Sequence, residues 1–356
     1  MSVKTMEPLS SAPDSLCIVR LSALGDVTHA VPVLRAIQRQ WPATRITWVC
    51  AVVEHRLLSL IDGIRFVTLD KKAGWRGYRE LRRQLRGEKF DIMVQMQTSA
   101  RANLAGACVR ARIKLGWDKA RARDLHHLFM THVIPPAAKQ HQVQGHLAFA
   151  RALGLDADEP VWDFPVTEAS RQHAAERLPG EQRTLLISPC SSHVHRNWLA
   201  DRYAAVADYA VATHGMRIVL TGGPSEIEKH MGRDIETAMQ NNADNLVGQL
   251  TLEQLMGLLE RADVVLSPDS GPAHMANALG KPVIGLHACT WSIRGGPYHS
   301  LDLCIDKFPQ AARQFRNKAP EEIRWGTKIE EPGVMALIEV DEVINRLDEA
   351  VSRLPR

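Results

Sequence analysis

Short apolar runs alternate with stretches of helical spacing along most of the chain. Residues 15–21 (SLCIVRL) form one such run, which ends in the small-residue segment 22–26; residues 27–40 then place apolar side chains at helical intervals. This predicts strand, tight turn and helix in succession. The β-rich runs at 45–51, 65–69 and 90–95 repeat the theme, with helical patterns at 57–60, 78–85 and 143–153. Strands alternating with helices imply a parallel sheet covered on both faces. The pattern breaks over residues 156–165, which are acidic and interrupted by Pro160 and Pro165, and then restarts. Strands are predicted at 184–188, 217–221, 264–267 and 283–286, and helices at 171–178, 203–213, 252–259 and 272–279. Over 334–351, Leu337, Val340, Val343, Ile344 and Leu347 predict one final amphipathic helix.

The division that follows is a flexible tail at 1–14, an α/β domain at 15–165, a second at 166–333, and a C-terminal helical segment at 334–356 expected to pack back toward the first domain. The 356 residues, 45% of them hydrophobic, suffice for two cores. No stretch approaches the roughly 18–20 apolar residues of a membrane span, and residues 1–14 lack the apolar centre of a secretory signal. A cytoplasmic protein is expected. Its six cysteines are scattered with no CxxC pair, which points to free thiols rather than a disulfide framework or zinc knuckle.

The net charge of +4 conceals an asymmetry. Residues 1–165 hold 24 Lys and Arg against 15 Asp and Glu, whereas 166–356 hold 20 against 25. The basic residues gather in two clusters, at 71–89 and 101–123, which would attract nucleic acid, an acidic membrane face or an anionic substrate. For the 76–89 run a solvated helix face is an equally good account, since Leu81 and Leu85 mark an apolar stripe. Aromatic residues make up only 5% and do not interleave with the basic runs, which argues against nucleic acid.

Four strand-end loops carry candidate chemistry, in the position where open α/β sheets bind ligands. In 267–274 (SPDSGPAH) a strand ends just before a helix: Ser270 offers a hydroxyl, Gly271 permits close backbone approach, and Pro272 suits the first helical turn. The helix N-terminus favours phosphate. The turn at 22–26 places Asp26 at the start of a helix, where capping alone would account for it. Segment 188–198 (SPCSSHVHRNW) combines Ser191, Ser192, two imidazoles and Arg196, an assortment suited to an oxyanion. His193 and His195 have no acidic neighbour there, so no metal site is expected. Finally, 221–226 (TGGPSE) carries Glu226, whose carboxylate could accept hydrogen bonds from a ribose diol.

Together these segments resemble glycosyltransferase family 9, the bacterial lipopolysaccharide heptosyltransferases, from residue 16 onward. The resemblance implies a GT-B fold, two Rossmann-like parallel-sheet domains facing an interdomain cleft, the first binding acceptor and the second nucleotide sugar. It also implies inverting, metal-independent transfer of heptose from ADP-L-glycero-D-manno-heptose to a Kdo- or heptose-bearing lipid A acceptor, with no cofactor. On the family's Gly-Asp turn, Asp26 becomes the catalytic base. On its Asp-[Ser/Thr]-Gly-x-x-His motif, Asp269, Ser270, Gly271 and His274 contact the diphosphate and donor sugar. Ser191, Ser192 and Arg196 lie near the phosphates, Glu226 matches the ribose-binding acid, and Leu250 the adenine-contacting position. Arg196 stands where the family usually has Lys, and its usual Gly-Pro-Thr turn is altered to 287–290 (HACT).

The implied mechanism is a single displacement in which Asp26 takes the acceptor proton and Arg196, the serine hydroxyls and the helix end at Gly271 stabilise departing ADP. Arg101 and Arg123 become acceptor contacts, and the basic domain meets a polyanionic acceptor at the cytoplasmic face of the inner membrane, as a peripheral monomer. Two other readings share this layout: a GT-B transferase or epimerase using another nucleotide sugar, and a catalytically silent nucleotide-binding module at the membrane surface. A dinucleotide dehydrogenase is disfavoured because 22–26 lacks G-x-G-x-x-G.

Overall fold

The computed structural model describes residues 3–355. They divide into two compact units, with the boundary between Pro165 and Val166.

The first unit holds strands β1 (Lys4–Thr5), β2 (Ser15–Val19), β3 (Arg45–Ala51), β4 (Ile64–Leu69), β5 (Phe90–Gln95), β6 (Ala111–Gly116) and β7 (His132–Val133). All pair in parallel, in the order β1-β7-β6-β5-β2-β3-β4. Its helices are α1 (Leu24–Thr28), α2 (Val31–Gln40), α3 (Val52–Leu58), α4 (Trp75–Gln84), α5 (Ala100–Cys108) and α6 (Gln142–Leu153). Central β2 is buried along its whole length, which is why its sequence is a continuous apolar run rather than an alternation. The single helix expected over 27–40 is broken: α1 ends at Thr28, whose hydroxyl donates to the Gly25 carbonyl at 2.6 Å, and α2 restarts with Pro32 in its first turn.

Of the flexible tail expected at 1–14, residues 1–2 lie outside the described residues, and within the rest a short edge strand, β1, is added to the sheet. Lys4 and Thr5 pair with His132 and Val133, Met6 is buried, and the Leu9 amide donates to the Leu153 carbonyl at 3.1 Å. One buried apolar side chain and three anchored amides suffice to hold so short a strand, and composition gives no hint of them.

The second unit holds strands β8 (Thr184–Ile187), β9 (Arg217–Leu220), β10 (Asp244–Asn245), β11 (Val264–Pro268), β12 (Val283–His287) and β13 (Ile305–Asp306), all parallel, in the order β10-β9-β8-β11-β12-β13. Its helices are α7 (Glu168–Arg177), α8 (Ala200–His214), α9 (Glu226–Ala238), α10 (Leu252–Arg261), α11 (Gly271–Ala278), α12 (Ser292–Gly295), α13 (Phe308–Arg316) and α14 (Val340–Ser352). Helix α14, expected to pack back toward the first domain, lays Val343, Leu347 and Ala350 into the second unit's own core beside α8. Asp348 accepts there from Tyr209 Oη at 3.1 Å and lies 2.7 Å from His214 Nε2. The predicted helix over 334–351 is split at Ile338, whose carbonyl accepts from the buried Trp198 indole at 3.1 Å and is therefore unavailable to a continuous helix.

Helices α7 and α10 touch backbone to backbone at Gly257, where an added Cβ would sit 2.2 Å from the Ser170 carbonyl oxygen. Gly257→Ala should therefore lower stability by about 1–3 kcal/mol, measured as a reduced urea midpoint. An unchanged midpoint would mean that α7 shifts freely.

All six cysteines are free, and all but Cys108 are buried. No helix among the described residues is long and apolar enough to cross a membrane.

Candidate functional site

In the first unit the loop after β2 is held from two sides. Gln97, in the loop after β5, accepts from the Leu21 and Ser22 amides at 2.9 and 3.2 Å. The buried Trp48 indole donates to the Arg20 carbonyl at 3.1 Å. Arg20 itself is 7% exposed, donates from Nη1 to the Met96 carbonyl at 2.8 Å, and places Nη2 3.2 Å from Asp26 Oδ1. The other carboxylate oxygen accepts from the Ala23 amide at 3.2 Å. Asp26 does cap α1, but its side chain is 36% exposed at the carboxyl edge of the sheet. The arrangement is a carboxylate fixed by a buried cation and still open to solvent.

Imidazoles crowd the region beneath it. His29, one turn along from Asp26, lies 6.1 Å from the His141 ring and 6.4 Å from the His146 ring. Burial, and after it the nearby Arg20 cation, push the His146 pKa down, so this imidazole is neutral at physiological pH. Burial also lowers the Arg20 pKa, against the opposing fields of Asp26 and Glu54. Arg101, in the first turn of α5, and Arg123, in the loop after β6, are both exposed.

In the second unit the strand-end loops after β8 and β11 meet. Ser267 Oγ donates to the Ser188 carbonyl at 2.9 Å and lies 2.7 Å from Ser270 Oγ, joining the loop after β8 to the start of α11. Ser270 is the N-cap residue, but its hydroxyl makes no capping bond. His274 is buried, with Nε2 3.3 Å from Asp269 Oδ1. Burial raises the Asp269 pKa, but the bond to His274 and the fields of His274, His287 and Arg196 outweigh it and hold the carboxyl ionised below its usual range.

The 191–198 segment winds round Asn197, whose Oδ1 accepts from the Ser191 amide at 2.8 Å; Ser192 is exposed. Arg196 places Nε and Nη2 2.8 and 2.5 Å from Glu330 Oε1. At the β9 loop the expected residue, Glu226, points outward and pairs with Lys229 Nζ at 3.0 Å. Its neighbour Glu228 instead folds onto the turn, accepting from the Gly223 amide at 2.5 Å and from Ser225 Oγ at 3.0 Å. Leu250 is half-buried in the loop before α10.

Sequence reasoning missed Arg20, Glu330, Glu228 and His287. Arg20 did leave a signal, as a lone charge inside an apolar run; Glu330, 134 residues from its partner, left none.

A family model described as glycosyltransferase family 9 (heptosyltransferase) matches residues 78–323. The chain is 36% identical, over 96% of its length and 98% of the relative's, to the lipopolysaccharide core heptosyltransferase OpsX of Haemophilus influenzae. Among solved structures, a glycosyl transferase family 9 protein from Veillonella parvula superposes with a TM-score of 0.78 at 21% identity, covering 96% of this chain and 98% of that one. The E. coli heptosyltransferase WaaC with ADP gives 0.73 at 20%, covering 94% and 99%. These two show likeness of fold.

Proposed function

The chain belongs to glycosyltransferase family 9, and on that premise we propose that it transfers heptose from ADP-L-glycero-D-manno-heptose to the inner core of lipopolysaccharide, on a Kdo- or heptose-bearing lipid A acceptor. The reading rests on the end-to-end similarity to the H. influenzae core heptosyltransferase.

The reaction is a single displacement with inversion. Asp26 takes the proton of the acceptor hydroxyl as its oxygen attacks the anomeric carbon; the bond to ADP breaks and its electron pair leaves with the diphosphate. A carboxylate is a modest base, so positioning must do much of the work, and the buried Arg20 supplies it. Arg196, the hydroxyls of Ser191, Ser192 and Ser270, and the α11 amides at Gly271 meet the charge gathering on ADP, so the proposal needs no metal. Asp269 and His274 act together on the diphosphate and donor sugar, Leu250 lies against adenine, and Glu226 takes the ribose diol, with Glu228 shaping its loop. Arg101 and Arg123 bind the anionic acceptor, and the enzyme works as a monomer peripheral to the cytoplasmic face of the inner membrane.

Incubation with ADP-heptose and a Kdo-bearing lipid A in the presence of EDTA should yield an acceptor heavier by one heptosyl residue, with the new linkage of opposite anomeric configuration to the donor. Transfer from UDP-sugars alone, or none to any inner-core acceptor, would overturn the reading.

Arg20→Met should lower kcat while leaving the donor KM unchanged, and Arg20→Lys should restore part of the loss. The sign of the pH effect follows from charge. Removing a cation beside Asp26 raises the carboxyl pKa, so the acid limb of the rate profile moves to higher pH. Glu54 and His146 also face Arg20, but a neutral His146 leaves that sign unchanged. A profile that stays in place would remove Arg20 from this role.

A further inference from the structure

The lipid-linked acceptor of the proposed reaction calls for a surface that can meet a bilayer, and the first unit offers a candidate. Among its described residues, the exposed large apolar side chains are Val52, Val53, Trp75, Leu104, Leu125 and Leu128. Each lies in a segment that follows the carboxyl end of a strand, the edge that also carries Asp26. Four of them lie on one continuous ribbon. Tyr78 Oη of α4 donates to the Arg101 carbonyl at 3.3 Å, joining α4 to α5. Asp124 then joins α5 to the loop after β6, accepting from the Ala100 amide and from Asn103 Nδ2, each at 2.8 Å.

The ribbon is amphipathic and net basic. Trp75 is 71% exposed at the start of α4, and Leu125 and Leu128, in the loop after β6, are 63% and 67% exposed. Arg76, Arg79 and Arg82 are exposed on α4, whose one acid, Glu80, is taken up by Arg83 at 2.7 Å. The Asp124 carboxylate accepts from the Ala100 amide, which turns it onto the start of α5. The tip is also held out against its own preference: Asp124 and Leu125 have φ of 50° and 58°, a left-handed backbone that leucine rarely adopts. The turn is anchored next door by buried His126, whose Nε2 accepts from the Trp117 amide at 3.1 Å, so Leu125 is held out in solvent by the fold.

We propose that this ribbon, from Trp75 of α4 through α5 to Leu125 and Leu128, is the surface that docks the protein on an anionic lipid bilayer. Trp75 and the two leucines enter the headgroup boundary while the arginines lie against the lipid phosphates. The proposal rests on the acceptor reading above and specifies its geometry: docking at the strand carboxyl edge presents a membrane-held sugar to the same edge as Asp26. A basic surface whose most exposed anchors include the aliphatic Leu125 and Leu128 fits a bilayer better than nucleic acid, which would call for aromatic stacking faces along the basic run.

The test uses the full chain and needs neither donor nor acceptor. It should co-sediment with vesicles containing phosphatidylglycerol, weakly with phosphatidylcholine alone, and lose binding at about 0.5 M salt, where exposed charges are screened. Combined Trp75→Ser, Leu125→Asn and Leu128→Ser should weaken vesicle binding roughly 10- to 100-fold, with turnover on a deacylated, water-soluble acceptor unchanged. Asn is chosen because it tolerates the left-handed backbone. In the wild type, amide exchange should slow on vesicle binding within 71–86 and 121–130, a readout that stands even if the combined variant fails to fold. Equal binding by variant and wild type, protection elsewhere, or heparin binding without vesicle binding would overturn the proposal. Failure of the wild type to turn over the deacylated acceptor would count against the transfer reading and leave the vesicle result standing.

Discussion

Asp26→Asn should reduce kcat by about 10²–10⁴ while ADP affinity stays unchanged. Asparagine keeps the shape of the side chain and can still accept from the Ala23 amide, so the cap of α1 survives. What it cannot do is accept a proton from the acceptor hydroxyl. The substitution also leaves Arg20 without its counter-ion at 3.2 Å, and a buried unpaired cation destabilises. Thermal melting must therefore be read beside the rates. The lost partner lowers the melting temperature, whereas the lost base lowers turnover at temperatures where the variant is fully folded. ADP, which the proposed function assigns to residues 191–196 and 269–274 of the second unit, should report on neither effect. A folded Asp26→Asn variant with wild-type turnover would remove Asp26 as the base.

Much of the architecture was readable because each sheet is parallel and covered on both faces, so its central strands are unbroken apolar runs. Segments 15–19, 184–187 and 264–268 are of this kind. Strand β6 escaped notice because it alternates basic and apolar residues (ARIKLG) and read as part of a charge cluster. Helix α5, made largely of Ala, Gly and Asn, has no contrast between its faces. The candidate site divides in the same way. Residues close together in the chain, such as Asp269 before α11 with His274 on it, were legible as a motif. Pairs made by the fold, Arg20 with Met96 and Arg196 with Glu330, were not, because nothing local requires either partner. At the β9 loop two acids two residues apart left the choice to helix phase: Ser225 caps α9, which turns Glu226 outward and Glu228 back onto Gly223.

Arg196→Ala should lower kcat by about 10²–10³, and by more than it weakens ADP binding. In the proposed role, Arg196 meets a charge that is only partly developed on the bound donor and complete on departing ADP, so the contact would be strongest as the sugar–phosphate bond breaks. Its present partner shows what the guanidinium prefers. Burial disfavours the Glu330 anion, yet the bond from Arg196 outweighs burial and keeps the carboxyl pKa below its usual value. Glu330 thus stands on Arg196 as an internal anion, and a diphosphate must compete with it. Glu330→Gln should for that reason tighten ADP binding; weaker binding would show instead that the carboxylate holds the guanidinium in place for the phosphates. Arg196→Lys retains the charge without the fork through which Nε and Nη2 both reach a single oxygen, and should fall between alanine and wild type. Full kcat in Arg196→Ala would mean that the serine hydroxyls and the α11 amides carry the leaving group alone, and would take Arg196 out of the chemistry.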